Sequence, residues 1–257
     1  MISTDYDSRK IQAVQLNSFI NDFQQGLFMQ EHEIYYARCL FDIKDYYKGL
    51  FHLHNIYLPE NIKQSVSKRQ GEYFAGRYCA KTALNCLGVK NLSVSTGDKR
   101  QPLWPYGVSG AISHTNSSAL CIVSKADEIR GLGIDQEYVV TRTLMNEISS
   151  QIVSEEELAV LSNGQLKSTV AFTATFSAKE SFFKAMFPIY KDYFGFDAIS
   201  LVALNFHQGK GKLTFELNKN FNDKYQIGKQ VSGYFYLSDD HQENKCKQRV
   251  EGFFVLT

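Results

Sequence analysis

Three acidic side chains and one lysine stand at spacings that could hold a metal ion beside an anion. Asp135 and Glu137 are two residues apart in a strand-like run, so both project from the same face of the strand. Glu180 and Lys184 lie one turn apart in a helical pattern. Taken alone, the second pair is typical of a solvated helix flank. Together, the three carboxylates offer the hard oxygen ligands that Mg²⁺ prefers.

Cationic side chains form a second set, which could bind a polyanion. Arg69 and Arg77 are eight residues apart in a predicted helix, so they lie about 12 Å apart along its axis and within about 80° around it. Each could also be an ordinary solvated arginine, and His114 an ordinary turn histidine. Phosphoryl-type transfer needs both sets, because cations stabilise the spread oxygen charge and a carboxylate accepts the proton of the nucleophile. The other candidate cations are Lys99 or Arg100, Lys179 and Lys184.

The composition, and the motifs that the chain lacks, argue against several other classes of protein. The 257 residues are 44% hydrophobic and 21% charged, an ordinary globular balance. A net charge of +1 gives no reason to expect nucleic acid or a membrane surface as a partner. The sequence contains neither G-x-x-x-x-G-K-[ST] nor G-x-G-x-x-G, so a P-loop and a Rossmann site are not supported. Five cysteines without a C-x-x-C spacing argue against a disulfide framework or a zinc site.

The N-terminal residues lack the basic start and the apolar block of a signal peptide. No apolar run reaches the length that is needed to span a membrane. We therefore expect a cytoplasmic protein without a membrane partner.

Hydrophobic periodicity predicts a helix that carries the two arginines. It spans residues 65–87, with Ser65 or Ser67 as its N-terminal cap and Gly88 as the residue that ends it. Residues 8–30 have an irregular apolar side and are predicted to form one or two short helices.

A second helix carries Glu180 and Lys184. Its apolar stripe includes Phe172 and Phe187, and it is predicted to end at Pro188. Upstream, residues 154–157 (Ser-Glu-Glu-Glu) form a capping box that begins a short helix, and residues 163–164 are predicted to end it.

Strands with alternating apolar residues complete the pattern. Each half of the chain then has one long helix and several strands, which indicates an α+β fold of two pseudo-duplicated halves. The polar segment 126–131 is the predicted seam, giving halves 1–128 and 129–257. The predicted strands are residues 33–41, 110–115, 118–123, 132–140, 198–206, 212–217, 231–237 and 250–256.

Two motifs in this order resemble the paired signature of the phosphopantetheinyl transferases. Residues 133–137 (Gly-Ile-Asp-Gln-Glu) match G-x-D-x-E, and residues 176–184 match [W/F]-[S/C]-x-K-E-x-x-x-K. The resemblance covers residues 65–200. The stretches that look like the siderophore-synthase subgroup of this family are residues 69–77, residues 102–105 with 112–115, and residues 187–188 leading to 195–198.

The resemblance implies an active enzyme, because no charged group of the signature is missing. Phe176 replaces a frequent Trp, Ala111 a frequent Ser and Ser181 a frequent Ala. The family transfers the 4′-phosphopantetheine arm of coenzyme A to a serine of an acyl or peptidyl carrier protein and releases 3′,5′-ADP. By resemblance, we expect a monomer with its active site between the halves. The first half would recognise the 3′-phosphate of coenzyme A, and the second would carry Mg²⁺ and the catalytic residues.

The resemblance also implies roles for single residues. Asp135, Glu137 and Glu180 would hold Mg²⁺ on the pyrophosphate. Glu180 would also act as the base for the carrier serine, directly or through water, and Lys184 would neutralise the pyrophosphate. Gln136 is expected to face the other side of the strand. The expected coenzyme A contacts are Arg69, Arg77, Lys99, Arg100, Ser113, His114, Lys179 and Lys184.

Two other functions fit the same residues. A non-catalytic assembly partner could retain coenzyme A binding, and a Mg²⁺-dependent phosphohydrolase or nuclease could use the acidic cluster.

The subgroup resemblance favours secondary metabolism, with the carrier left open among siderophore, polyketide and polyunsaturated fatty-acid synthesis. Residues 183–191 combine aromatic and basic side chains and are predicted to dock the carrier, although at least half of those aromatics are expected in the core.

Overall fold

A computed structural model describes residues 18–162, 166–242 and 245–257 of the chain. The described residues fall into two compact units, of which one ends at Asp127 and the other begins at Glu128. Both units combine an antiparallel sheet with helices. The predicted α+β class is therefore confirmed, as is the presence of a small sheet and one long helix in each half.

The first unit is built on a four-stranded antiparallel sheet with the order β1-β2-β6-β5. The long helix α3 packs on its central strands. The phenylalanines Phe19, Phe41 and Phe74 meet at ring-centroid distances of 5.5 and 5.7 Å in this core. In chain order the elements are β1 (Ile20–Met29), β2 (Ile34–Phe41), a 3₁₀ turn (Ile43–Asp45), α1 (Leu50–Leu53), α2 (Glu60–Lys63), α3 (Ser67–Cys86), β3 (Ser95–Thr96), β4 (Pro102–Leu103), β5 (Ser109–His114) and β6 (Ser118–Ser124).

The start of this unit differs from the prediction of short helices over residues 8–30. Residues 20–29 form the edge strand β1, which pairs with β2. The irregular apolar pattern of this segment left its local preference weak, and hydrogen bonding to a neighbouring strand decided its conformation. Residues 8–17 of that prediction lie outside the described residues.

Helix α3 confirms the predicted long helix and its end, but not its cap. Gly88 has φ +72°, a left-handed conformation that glycine adopts without strain after a helix. At the other end, Val66 is the N-cap residue and makes no side-chain cap bond. The Ser65 hydroxyl instead donates to the Ile62 carbonyl at 2.6 Å, because a turn precedes the helix directly.

The second unit has a five-stranded antiparallel sheet with the order β7-β11-β10-β9-β8, and the long helix α6 packs on β7 and β11. All five predicted strands of this half occur. Most of their ends shift by at most two residues, but β10 continues five residues further and β11 begins five residues earlier than predicted. In chain order the elements are β7 (Gly131–Tyr138), α4 (Arg142–Ile152), α5 (Glu155–Ser162), α6 (Ser168–Tyr190), a 3₁₀ turn (Phe196–Ala198), β8 (Ile199–His207), β9 (Lys210–Leu217), β10 (Gln230–Gln242) and β11 (Lys245–Leu256).

Two helix boundaries test the local predictions in this unit. The capping box is confirmed, because the Ser154 amide donates to Glu157 Oε2 at 2.9 Å and the Glu157 amide donates to Ser154 Oγ at 3.3 Å. The predicted end of that helix at residues 163–164 lies outside the described residues. The prediction that Pro188 ends α6 is wrong, since the helix continues to Tyr190. The amide of Lys191, which has φ 60°, donates to the Phe187 carbonyl and closes the last turn.

Candidate active site

Helix α6 lies directly against strand β7 because two glycines of the strand have no side chain. A Cβ at Gly133 would overlap the carbonyl oxygen of Ser181, and one at Gly131 would overlap that of Ala185. The contact is therefore backbone to backbone. This is the physical reason for the glycine of the G-x-D-x-E motif, since any larger residue at this position would push the helix away.

Two serines of α6 hydrogen bond to the neighbouring strand β11. The Ser181 hydroxyl donates to the Gly252 carbonyl at 2.8 Å, and the Gly252 amide donates to Ser177 Oγ at 3.2 Å. Gly252 was not predicted to matter, because nothing near it in the sequence shows that a helix crosses the strand at this point.

The close approach brings the acidic residues of β7 to the charged residues of α6. Lys184 Nζ donates to Asp135 Oδ1 at 2.7 Å and to the Ile134 carbonyl at 3.0 Å. The alternation of the strand puts Glu137 on the same face as Asp135 and puts Gln136 on the opposite face, as predicted.

The three carboxylates influence one another electrostatically. Burial, reinforced by the charges of Asp135 and Glu180 and opposed by Lys184, raises the pKa of Glu137 to about 7. Burial also raises the pKa of Glu180, with Lys184 opposing this effect and Asp135 adding to it. The cluster therefore holds more negative charge than its single lysine compensates.

The donor set fits a divalent cation. In the structure, the ammonium group of Lys184 is a cation in direct contact with Asp135. Among the described residues, no three His, Cys, Asp or Glu side chains are already gathered as a metal cluster. Buried carboxylate oxygens that repel one another are nevertheless the ligands that a hard cation takes, and a bound cation would offset both the burial and the repulsion that raise the pKa of Glu137.

Lys179 has a different environment from the one predicted for a coenzyme A contact. Its side chain is only 2% exposed and donates to the carbonyls of Ile152 and Phe196 at 2.8 and 3.1 Å. Its ion pair with Glu157 measures 2.7 Å. Glu157 Oε1 also accepts the amide of Leu201 at 2.7 Å. An ammonium group has three donors, and all three are used inside this unit, so we assign Lys179 a structural role.

In the first unit, a cavity of about 330 Å³ gathers four of the residues that were predicted to bind coenzyme A. They come from α3, from the loop after β3 and from the end of β5, which are distant in sequence. The predicted residues that line it are Arg69, Arg77, Arg100 and His114. Polar residues that were not predicted also line it, and they are Asn61, Ser65, Glu72, Tyr73 and Thr96.

One side of the cavity is an arginine–histidine pair beside a carboxylate. Arg69 Nη1 lies 2.8 Å from His114 Nε2, and because a guanidinium group can only donate, the imidazole nitrogen accepts. Glu72 Oε2 is 3.6 Å from Arg69 Nη1 and 4.0 Å from His114 Nδ1. Glu72 follows Arg69 by three helix positions, and this spacing was the available sequence signal for it.

The other side of the cavity is formed by a buried arginine. Arg77 is 9% exposed, and its guanidinium carbon lies 4.7 Å from the centre of the Tyr73 ring. It donates to the Tyr73 hydroxyl at 3.2 Å, to Thr96 Oγ1 at 3.1 Å and to the Ser95 carbonyl at 3.3 Å. These partners are neutral, so none of them offsets the positive charge of the guanidinium group, which can still attract an anion.

Two other predicted coenzyme A residues do not line this cavity. Ser113 is buried and lies on the face of β5 opposite to Ile112 and His114, which both line the cavity. Lys99 is also absent from the lining, whereas its neighbour Arg100 belongs to it. The roles of Ser113 and Lys99 stay predictions.

Comparison with known proteins assigns both parts of the chain to one family. Residues 58–124 match the family model of the 4′-phosphopantetheinyl transferase N-terminal domain. Residues 131–240 match that of the 4′-phosphopantetheinyl transferase superfamily.

Similar proteins extend this assignment. Enterobactin synthase component D of Salmonella typhi is 36% identical over 166 residues, which is 63% of this chain and 68% of that protein. The 4′-phosphopantetheinyl transferase PptT of Mycobacterium tuberculosis is 34% identical over 143 residues, or 54% of this chain and 62% of PptT. The 4′-phosphopantetheinyl transferase Npt of Nocardia iowensis is 29% identical over 136 residues, which is 53% of this chain and 60% of Npt. The matched region thus spans between 60% and 68% of the length of these relatives. The chain belongs to the 4′-phosphopantetheinyl transferase superfamily. Within the described residues, no helix is both long and apolar enough to cross a membrane.

Proposed function

We propose that the chain transfers the 4′-phosphopantetheine arm of coenzyme A to a serine of an acyl or peptidyl carrier protein. The observation that carries this proposal is the contact between the two signature motifs, in which Lys184 of the second motif bonds to Asp135 of the first at 2.7 Å. In the reaction, the serine oxygen forms a bond to the phosphorus next to the pantetheine arm. The bond from that phosphorus to the bridging oxygen breaks, and 3′,5′-ADP leaves.

The residues of the second unit would act on the pyrophosphate and on the serine. Asp135, Glu137 and Glu180 would hold a divalent metal ion, which we infer to be Mg²⁺ because all three ligands are carboxylates. When bound, that ion supplies positive charge for the oxygens of the pyrophosphate. Lys184 would exchange Asp135 for a phosphate oxygen and so neutralise the leaving group. Glu180, whose pKa is raised by burial, would accept the serine proton directly or through water.

The cavity of the first unit would hold the 3′-phosphate of coenzyme A. Arg69, Arg77 and Arg100 can each donate two hydrogen bonds to phosphate oxygens, and His114 lies beside Arg69. The buried Arg77 supports this role most strongly, because its present partners carry no negative charge. Lys99 and Ser113 are proposed as further contacts on the resemblance alone.

The carrier protein would dock on the exposed part of the predicted segment 183–191. Ala185, Met186 and Phe187 are buried there and belong to the core. Phe183 is partly exposed and stacks on Tyr193, which is 58% exposed, with the ring centres 6.2 Å apart. Exposed aromatic rings next to lysines suit an acidic partner with apolar anchors.

The test is the transfer of labelled coenzyme A to a panel of apo-carrier proteins offered in competition. The wild-type chain should label at least one carrier and release 3′,5′-ADP in equal amount. Asp135→Ala and Glu180→Ala should each lower labelling by at least about a thousandfold, because each removes a charge that acts in the transition state. Circular dichroism should show that both variants keep the fold.

Three results would contradict the proposal in different ways. Coenzyme A binding without any labelling would indicate a non-catalytic binding protein. Free hydrolysis products would indicate a phosphohydrolase. Near-normal labelling by Asp135→Ala or Glu180→Ala would exclude the proposed metal ligands. The panel would also identify the carrier, while the monomeric state and the cytoplasmic location stay predictions.

A further inference from the structure

The anion cavity of the first unit contains one feature that opposes its proposed use. Glu72 is the only acidic side chain among the described residues that line it, and it is 8% exposed. Its Oε2 lies 3.6 Å from Arg69 Nη1, and its Oε1 lies 3.9 Å from Lys68 Nζ. A cavity that binds a phosphate by positive charge thus has a negative charge built into its wall.

We propose that Glu72 is an internal counter-ion that competes with the bound phosphate for Arg69 and so limits the affinity of the cavity. The inference rests on the proposed function, since the phosphate is taken to be the 3′-phosphate of coenzyme A. In this role Glu72 weakens the binding of the phosphate and so sets the affinity and selectivity of the cavity. It makes no favourable contact with the ligand.

The competition follows from the chemistry of the groups. A carboxylate and a phosphate are both anionic acceptors, so the charge of Glu72, 3.6 Å from Arg69 Nη1, partly offsets the charge that Arg69 offers to the ligand. Arg69 has a side chain that is 46% exposed and can therefore turn from one acceptor to the other. Glu72 cannot leave with it, because its carboxylate is almost fully buried, and it continues to repel the phosphate.

A limit on this affinity has a use in the reaction. Coenzyme A and 3′,5′-ADP carry the same 3′-phosphate, so the cavity holds substrate and product equally well. Binding that is equal in every state lowers KM without accelerating the chemical step, and it delays the release of product. A counter-ion in the cavity wall weakens the binding of both ligands and favours release.

The test compares Glu72→Gln with the wild-type chain by isothermal titration calorimetry in metal-free buffer. The probes are coenzyme A, 3′,5′-ADP and coenzyme A without its 3′-phosphate. Glu72→Gln should bind the first two roughly 5- to 20-fold more tightly, because a like charge next to the phosphate is removed. Its affinity for the third probe should change by less than about twofold, since no phosphate then reaches the cavity.

Glu31→Gln is the matched control, because it makes the same charge change at an exposed position in the turn between β1 and β2. It should leave all three affinities unchanged. If Glu72→Gln fails to fold, Glu72→Asp draws the carboxylate back from Arg69 by one methylene group and should still bind coenzyme A more tightly than the wild-type chain does.

Weaker binding of coenzyme A by Glu72→Gln would overturn the inference, since it would make Glu72 a group that positions Arg69. Equal changes for coenzyme A and its 3′-dephospho form would also overturn it. The assay measures binding alone, so a chain that binds coenzyme A but transfers nothing refutes the proposed function and leaves this result standing. A wild-type chain that binds neither coenzyme A nor 3′,5′-ADP refutes both.

Discussion

At the scale of single residues, the structure separates lysines that the sequence presents alike. Lys179 and Lys184 are five positions apart on α6, and both were predicted to contact coenzyme A. Lys179 is enclosed by Glu157 and two carbonyls, whereas Lys184 bonds to Asp135 in the acidic cluster. Lys184, and not Lys179, therefore lies beside the acidic residues that are proposed to hold the metal ion.

We predict that breaking the buried pair destabilises the fold without changing coenzyme A binding. Glu157→Ala leaves the ammonium of Lys179 buried and unpaired, which costs about 3–5 kcal/mol of unfolding free energy. Denaturation in urea measures this loss, and the exposed neighbour Glu156→Ala should leave the midpoint nearly unchanged. Lys179→Met, assayed where it is folded, should keep the KM for coenzyme A. A stable Lys179→Met variant with a strongly raised KM would show that Lys179 binds the ligand.

A second prediction at this scale concerns pH. Burial raises the pKa of Glu137 from 4.5 to about 7, so a metal ion must displace a proton from this carboxyl in neutral solution. Apparent Mg²⁺ affinity, measured by titration calorimetry, should therefore rise with pH from about 6 to 8. Glu137→Gln should bind more weakly and lose most of this dependence, with a smaller part remaining from Glu180, and the exposed Glu155→Gln should retain it. A flat wild-type profile would contradict the assignment.

The effect of Glu137 on the stability of the metal-free fold changes with pH in the opposite direction to its effect on Mg²⁺ affinity. An acid whose pKa is higher in the folded chain holds its proton more tightly there than in the unfolded chain. Without metal, the contribution of Glu137 is therefore complete below pH 4.5 and is lost as the pH rises through about 7. Thermal unfolding in the presence of a chelator should show this loss, and Glu137→Gln should remove it.

At the scale of elements, the acidic cluster depends on how closely α6 approaches β7 and β11. Glycines provide this approach on both strands, at Gly131 and Gly133 of β7 and at Gly252 of β11. The carboxylates of the strand and the charged residues of the helix meet because no side chain separates the two backbones. Both motifs are thus needed for one packing contact as well as for charge.

We predict that Gly133→Ala disrupts this contact. Its methyl group would overlap the Ser181 carbonyl of α6, a backbone atom that cannot turn aside, so the cost should lie near the upper end of the usual range, about 3 kcal/mol. Mg²⁺ affinity should fall with it, because the helix would carry Glu180 away from Asp135. Gly26→Ala is the matched control on a strand, since its methyl group would lie 3.5 Å from the Tyr36 ring, an ordinary contact. A Gly133→Ala protein with wild-type stability would show that the helix has room to move.

At the scale of the whole molecule, the local patterns of the sequence were sufficient for most elements. Strands with regular alternation and the two long helices were predicted at nearly their observed positions, because their periodicity reflects one buried face. The elements that were missed are strand β1, the short strands β3 and β4, and the helices α1, α2 and α4. In β1, pairing with β2 outweighs a weak local preference, and six of its ten residues are exposed, so it has little apolar alternation.

The sequence by itself indicated the class of the protein, since the two motifs that carry three carboxylates and a lysine resemble the paired signature of one family. The tertiary structure decided which of the predicted cations lie in a cavity and which are enclosed, and it added Glu72 and Gly252 to the residues that matter. The physical reason is the separation along the chain of the residues that interact. Motif spacing records neighbours along one element, while burial, counter-ions and close backbone contacts depend on residues that are distant in the chain.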